Sequence, residues 1–105
     1  MAEVEERILR IKNHRGVIGL LIVDENGKVL RTTMQTQDKD QNPIQIARKV
    51  TELAKKARSV VRDIDPTNDL TFFRVRGKNG KEIMVAPDKN LFLIVLQRTD
   101  FEETH

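Results

Sequence analysis

The sequence predicts an α/β domain of the α+β kind. It is a five-stranded antiparallel sheet in the order 2-1-5-4-3, with topology α-β-β-α-β-β-β and the helices packed on the sheet. Three observations carry this. Residues 70–97 read LTFFRVR, GKNGK, EIMVAP, DKN and LFLIVLQ, which is three apolar runs separated by two Gly/Asn/Asp/Lys turns, the pattern of an antiparallel meander. The runs VIGLLIV and LFLIVL are apolar without alternation, so both belong at the centre of a sheet covered on two faces. Between them lies one long stretch with helical periodicity.

Taken in order, residues 2–14 place Val4, Ile8 and Ile11 at helical spacing, with Leu9 beside them. Acids fall early (Glu3, Glu5, Glu6), and Arg10, Lys12 and His14 fall late, as the helix dipole favours. Gly16 suits the left-handed end of that helix. The strand 17–23 leads into Asp24-Glu25-Asn26-Gly27, where Asn-Gly predicts a hairpin with both residues at positive φ. The return strand, 28–34, is interrupted by Lys28, Arg31, Thr32 and Thr33, as in an edge strand blunted by polar groups. Residues 35–42 hold no hydrophobic side chain and read as a solvated loop.

Asn42-Pro43 then supplies an N-cap and a first-turn proline. Ile46, Ala47, Val50, Leu53, Ala54, Ala57, Val60, Val61 and Ile64 fall on one stripe, opposite Arg48, Lys49, Glu52, Lys55, Lys56, Arg58 and Arg62. The helix carries more net positive charge than the +3 of the whole chain. Asp65-Pro66 ends it, because a residue before proline avoids helical geometry. After the meander, residues 98–105 have no pattern and read as a flexible tail of a single domain spanning 1–105.

The order 2-1-5-4-3 is the one that centres both unbroken apolar runs while keeping hairpin neighbours adjacent. It leaves the third strand, LTFFRVR, at an edge. Adjacent phenylalanines there cannot both enter one core, and a long apolar edge without proline calls for a partner. The simplest partner is a second copy, giving a homodimer with a continuous ten-stranded sheet across a two-fold axis.

Composition sets the outer limits. With 105 residues and no cysteine, the chain forms a core without disulfides or thiolate metal sites, as expected in a reducing compartment. No apolar run approaches the ~20 residues that span a bilayer, and MAEVEERILR is not a signal peptide. A charge of +3 without Tyr or Trp argues against nucleic acid, which needs stacking platforms beside its basic face.

Residues 62–97, RDIDPTNDLTFFRVRGKNGKEIMVAPDKNLFLIVLQ, closely resemble the dynein light chains of the roadblock family. MAEVEE, GVIGLLIVDENGKVLRTTM and KARSVVRDIDP resemble them too. DIDPTNDLTF and EIMVAPDK are the most specific motifs, and residues 35–53 depart most. The resemblance implies a non-enzymatic homodimer whose third strands and long helices meet at the two-fold axis. The matching interface positions are Leu70, Thr71, Phe72, Phe73, Arg74, Val75 and Arg76 on the strand, with Ala54, Ala57 and Val61 on the helix. It implies binding of the dynein intermediate chain within a cytoplasmic, microtubule-associated motor or its ciliary or flagellar counterpart. For that segment the basic positions Lys49, Lys55, Lys56, Arg58 and Arg62 are the candidate contacts. Remoter members of the superfamily suggest a small GTPase as an alternative partner, and a paralogous light chain could replace the second copy.

No catalytic, metal or cofactor constellation competes with this reading. Asp63, Asp65 and Asp69 are close in sequence but occupy turn and cap positions, without a Gly-centred calcium loop. His14 and His105 lack any nucleophile context. GKNGK joins two strands instead of opening a helix, so it is a hairpin turn and not a phosphate loop.

Overall fold

The structure is a computed structural model that describes residues 6, 9–11, 13, 15–34 and 42–99. Its elements run β1 (Val17–Asp24), β2 (Val29–Thr32), a long helix (Pro43–Ile64), β3 (Phe73–Arg76), β4 (Lys81–Asp88) and β5 (Leu91–Arg98). The strands form one antiparallel sheet in the order β2-β1-β5-β4-β3, as the apolar runs require. The N-terminal helix expected over 2–14 falls largely outside the described residues. Glu6 and residues 9–11 are helical, and Gly16 follows at φ 86°. The loop expected over 35–42 is likewise undescribed before Asn42.

β1 and β5 are central because their side chains serve two clusters. Leu21, Val23, Phe92, Ile94 and Leu96 join Ala47, Val50 and Ala54 beneath the long helix. On the other face Leu20 and Val95 pack with Ile11, Val17, Ile22, Met84 and Leu93. The absence of alternation in VIGLLIV thus reflects burial on both sides of the sheet.

The long helix starts where the sequence places it. The Asn42 side chain accepts from the backbone N–H of Ile44 at 2.9 Å and of Gln45 at 3.4 Å, so two otherwise unpaired donors are satisfied. Asp65 ends it in an extended conformation, with φ −145°.

Four local expectations are corrected. The first hairpin is not a two-residue Asn-Gly turn, since only Gly27 has positive φ. The Asp24 carboxylate accepts from the N–H groups of Asn26 (2.8 Å) and Lys28 (2.9 Å), which favours a longer loop. Those bonds hold the Asp24 carboxyl below its ordinary range, Lys28 contributing most. β2 stops at Thr32, where hydroxyl bonds join one last backbone bond, from the Thr33 N–H to the Leu20 carbonyl at 3.1 Å. The Thr32 Oγ1 donates to the Leu20 carbonyl, and the Thr33 Oγ1 accepts from the Leu20 N–H.

β3 spans Phe73–Arg76, not 70–76. Phe73 pairs with Val85, so Thr71 would fall opposite Pro87, which has no N–H to extend the ladder. Residues before it are held by turn bonds instead: Asp65 Oδ1 accepts from the Thr67 N–H and hydroxyl, and Asp69 Oδ1 from the Leu70 N–H. Finally, the tail is shorter than 98–105. Arg98 belongs to β5, and the Thr99 N–H donates to the Gly80 carbonyl at 2.8 Å, while residues 100–105 lie outside the described residues.

Candidate interaction surface

Among the described residues β3 is an edge strand, paired with β4 alone through Phe73↔Val85, Arg74↔Met84, Val75↔Ile83 and Arg76↔Glu82. Alternation sends Phe73 and Val75 toward the helix side and Arg74 and Arg76 toward the other face. Phe73 packs against the main core, whereas Val75 and Phe72 remain 40% and 53% exposed. Phe73 is half-buried, with one side of its ring against the main core and its strand at the sheet edge.

The long helix divides its apolar residues between two stripes. Ala47, Val50 and Ala54 are buried against the sheet. Ala54 is wholly enclosed within the single chain. Leu53, Val60 and Ile64 recur at helical spacing on the flank and are 44%, 46% and 80% exposed, with Ala57 and Val61 half-buried between. The single broad stripe of the sequence is wider than one sheet face can cover. A groove of about 290 Å³ joins this side to the edge, with Ile46 and Val75 among its lining residues.

The five basic positions separate into two groups. Lys49, Lys55 and Lys56 are exposed. Arg58 lies with its guanidinium 5.2 Å from the centre of the Phe92 ring, its Nε 3.7 Å from Asp69. Arg62 makes a two-pronged contact to Asp69, at 3.1 Å from Nε and 3.0 Å from its second nitrogen. That bond holds the Asp69 carboxyl below its ordinary range and raises the Arg62 guanidinium. Both arginines thus pin the 65–72 turn to the helix and are occupied within the chain.

A polar cluster that the sequence reading did not single out completes the surface. Glu82 is fully buried on β4. Its Oε1 lies 2.8 Å from Arg74 Nε and accepts from Gln97 Nε2 at 3.0 Å, while Oε2 accepts from Arg76 Nε at 2.9 Å. Burial alone would raise this carboxyl. The bonds from Arg76 and Gln97 and the charges of Arg74 and Arg76 outweigh that and hold it below its ordinary value. The spacing Arg-x-Arg before a four-residue turn, with Glu soon after it, was the available signal.

Among the described residues no three His, Cys, Asp or Glu side chains group as a metal site, and no helix is long and apolar enough to cross a membrane. The two histidines lie outside them.

The described residues thus form a small sheet-and-helix domain with β3 at one edge of the sheet and an exposed apolar helix flank. The chain belongs to the Roadblock/LC7 domain family, which matches it over residues 3–97. Its fold is similar to that of a Roadblock/LC7 domain from Streptomyces avermitilis (TM-score 0.72, 15% identity, covering 86% of this chain and 72% of that one). It is also similar to MglB of Myxococcus xanthus (0.66, 17%, 88% and 70%) and to an MglB in a tetrameric arrangement (0.69, 18%, 92% and 69%). At these identities the likeness is one of fold.

Proposed function

We propose that the chain is a non-catalytic, homodimeric light chain of a dynein motor, a scaffold that docks a segment of the dynein intermediate chain and so contributes to cargo linkage. The observation that carries self-association is the unpaired β3 edge beside the exposed flank of Leu53, Val60 and Ile64. A second copy pairing at β3 extends the sheet to ten strands and covers Val75 and the helix flank together. Such an interface needs to bury more than ~1,000 Å² to be stable. The dimer then presents two equivalent docking sites, and a dimeric intermediate chain gains avidity from engaging both.

The dynein assignment rests on the sequence resemblance over 62–97, and with it come a cytoplasmic, microtubule-associated setting and, in cilia or flagella, the axonemal equivalent. The second reading is a roadblock-type scaffold or regulator of a small GTPase, favoured by the fold likeness to MglB proteins over most of the chain. Affinity capture from the native source tests both. Co-purifying intermediate and heavy chains support the first; a small GTPase without them supports the second. Light scattering at micromolar concentration tests the dimer, and a mass of one chain rejects it.

A further inference from the structure

The outer backbone of β3 belongs to its two arginines. The Gly77 N–H donates to the Lys81 carbonyl at 2.8 Å, so the bonded pairs of the β3–β4 ladder fall at Val75↔Ile83 and Phe73↔Val85. Arg74 and Arg76 therefore direct their N–H and C=O groups away from β4, toward any strand added at the edge. Residues directly opposite share a face, so a copy joining the same sheet through a two-fold axis must centre the pairing on one residue. The two registers that overlap most of Phe73–Arg76 centre on Arg74 or on Val75. The first sets Arg74 against the partner's Arg74, and the second sets Arg74 against the partner's Arg76. Like charges placed directly opposite oppose pairing. Glu82 answers them from within the chain. It is fully buried, 2.8 Å from Arg74 Nε and 2.9 Å from Arg76 Nε, and Gln97 Nε2 donates to it at 3.0 Å. Both arginines reach back over β4 to meet it. Met84, two residues along the same face, shows that an apolar side chain packs on this side of β4, so packing alone does not call for a carboxylate.

We propose that Glu82 is the residue that makes the β3 edge compatible with a second copy of this chain. It draws Arg74 and Arg76 back over β4 and cancels one of their two charges. With two arginines and one glutamate from each copy, the seam holds four guanidinium groups against two carboxylates instead of four guanidinium groups unopposed. Glu82 is a positioning residue here, acting on the interface through the arginines. One positive charge per copy is left over, so self-association should tighten modestly as salt screens it. The inference rests on the β3-paired dimer proposed above and adds the charge balance that governs it.

The test is sedimentation of the full chain over a dilution series at ionic strengths of about 0.01 and 0.15 M, with circular dichroism to establish that each variant is folded. Glu82→Gln keeps the size of the side chain and removes its charge. Its dimer should be at least about tenfold weaker than the native one at the lower ionic strength, and the deficit should shrink at the higher one. Adding Arg74→Gln returns the surplus to one charge per copy and should restore the dimer constant to within about threefold of native. Arg76→Gln alone leaves Arg74 and Gln97 on Glu82 and removes the surplus, so it should tighten the dimer at the lower ionic strength. That variant decides the matter if Glu82→Gln does not fold. A folded Glu82→Gln chain that dimerises as tightly as native, that is weakened equally at both ionic strengths, or that Arg74→Gln does not restore overturns the role of Glu82 and leaves the dimer standing. An unchanged dimer constant for Arg76→Gln does the same. A native chain with the mass of one copy at micromolar concentration rejects the dimer, and this proposal with it.

Discussion

Arg76 and Glu82 face each other at a directly paired position of β3 and β4, with the arginine Nε 2.9 Å from a carboxylate that is itself fully buried. Arg74 reaches the same carboxylate from two residues away. The arrangement is asymmetric: the cations are half exposed and can be solvated, but the anion cannot. Replacing both arginines by Met should therefore strand a buried charge and cost about 2–4 kcal/mol in chemical denaturation. Adding Glu82→Met to that variant should recover most of the loss. Equal stability of the double and triple variants would mean the carboxylate is not desolvated.

The same cluster predicts a pH dependence. The Glu82 carboxyl in the folded chain lies below its ordinary value of 4.5, so the fold is favoured by the ionised form. That stabilisation is present above pH 4.5 and is lost as pH falls through the lower folded value. With both arginines replaced, burial is no longer outweighed and raises the carboxyl. The sign then inverts, and stability should rise as pH falls through the raised value toward 4.5. Urea midpoints at several pH values measure both slopes.

Val75 and Phe73 sit on the same side of the edge strand but answer different questions. Val75→Asp places a charge on exposed surface, so the monomer should keep its melting behaviour while the mass in sedimentation falls from two chains to one. Phe73→Asp places the charge in the main cluster and should cost roughly 3 kcal/mol or more, unfolding the chain before it reports on any interface. A folded, dimeric Val75→Asp chain would remove the β3 edge from the interface.

Much of the fold was legible because the strongest signals were local and redundant. Unbroken apolar runs identify strands that need cover on both faces, and Leu20 and Leu21 point to opposite clusters as that logic requires. Asn42 and Asp65 bound the long helix through chemistry confined to a few neighbouring residues. The failures are non-local. Pro87 shortens β3 from across the ladder, and the division of the helix stripe depends on how far the sheet reaches beneath it. Arg58 and Arg62 read as free basic residues because Asp69, the partner of both, lies beyond the helix end. Glu82 carried no signal of its own in the sequence, because its burial depends on the register set by the Gly77–Gly80 turn, with Gly80 at φ 86°.

Lys89 offers a simpler test of the backbone. It has φ 56° in the tight turn between β4 and β5, where Asp88 pairs with Leu91. A side chain at that φ crowds its own carbonyl, and Asn tolerates it better. Lys89→Asn should raise stability by about 0.5 kcal/mol without altering self-association. A loss of stability would show that the turn adopts another conformation.

Leu53 and Ala54 are neighbours on the helix with opposite environments. Ala54→Leu forces extra volume against the sheet and should destabilise the chain by about 1–3 kcal/mol. Leu53→Glu keeps helix propensity and removes an exposed apolar side chain, so the monomer should lose under about 1 kcal/mol. Its effect should appear in association instead, as at least a tenfold weaker dimer in dilution experiments, because in the proposed dimer the change puts a charge in the flank that meets the second helix. The two variants separate the stripe that holds the fold from the stripe assigned to the partner in the proposed dimer. A Leu53→Glu chain that dimerises as tightly as the native one would assign the flank to solvent and leave the β3 edge to carry the interface alone.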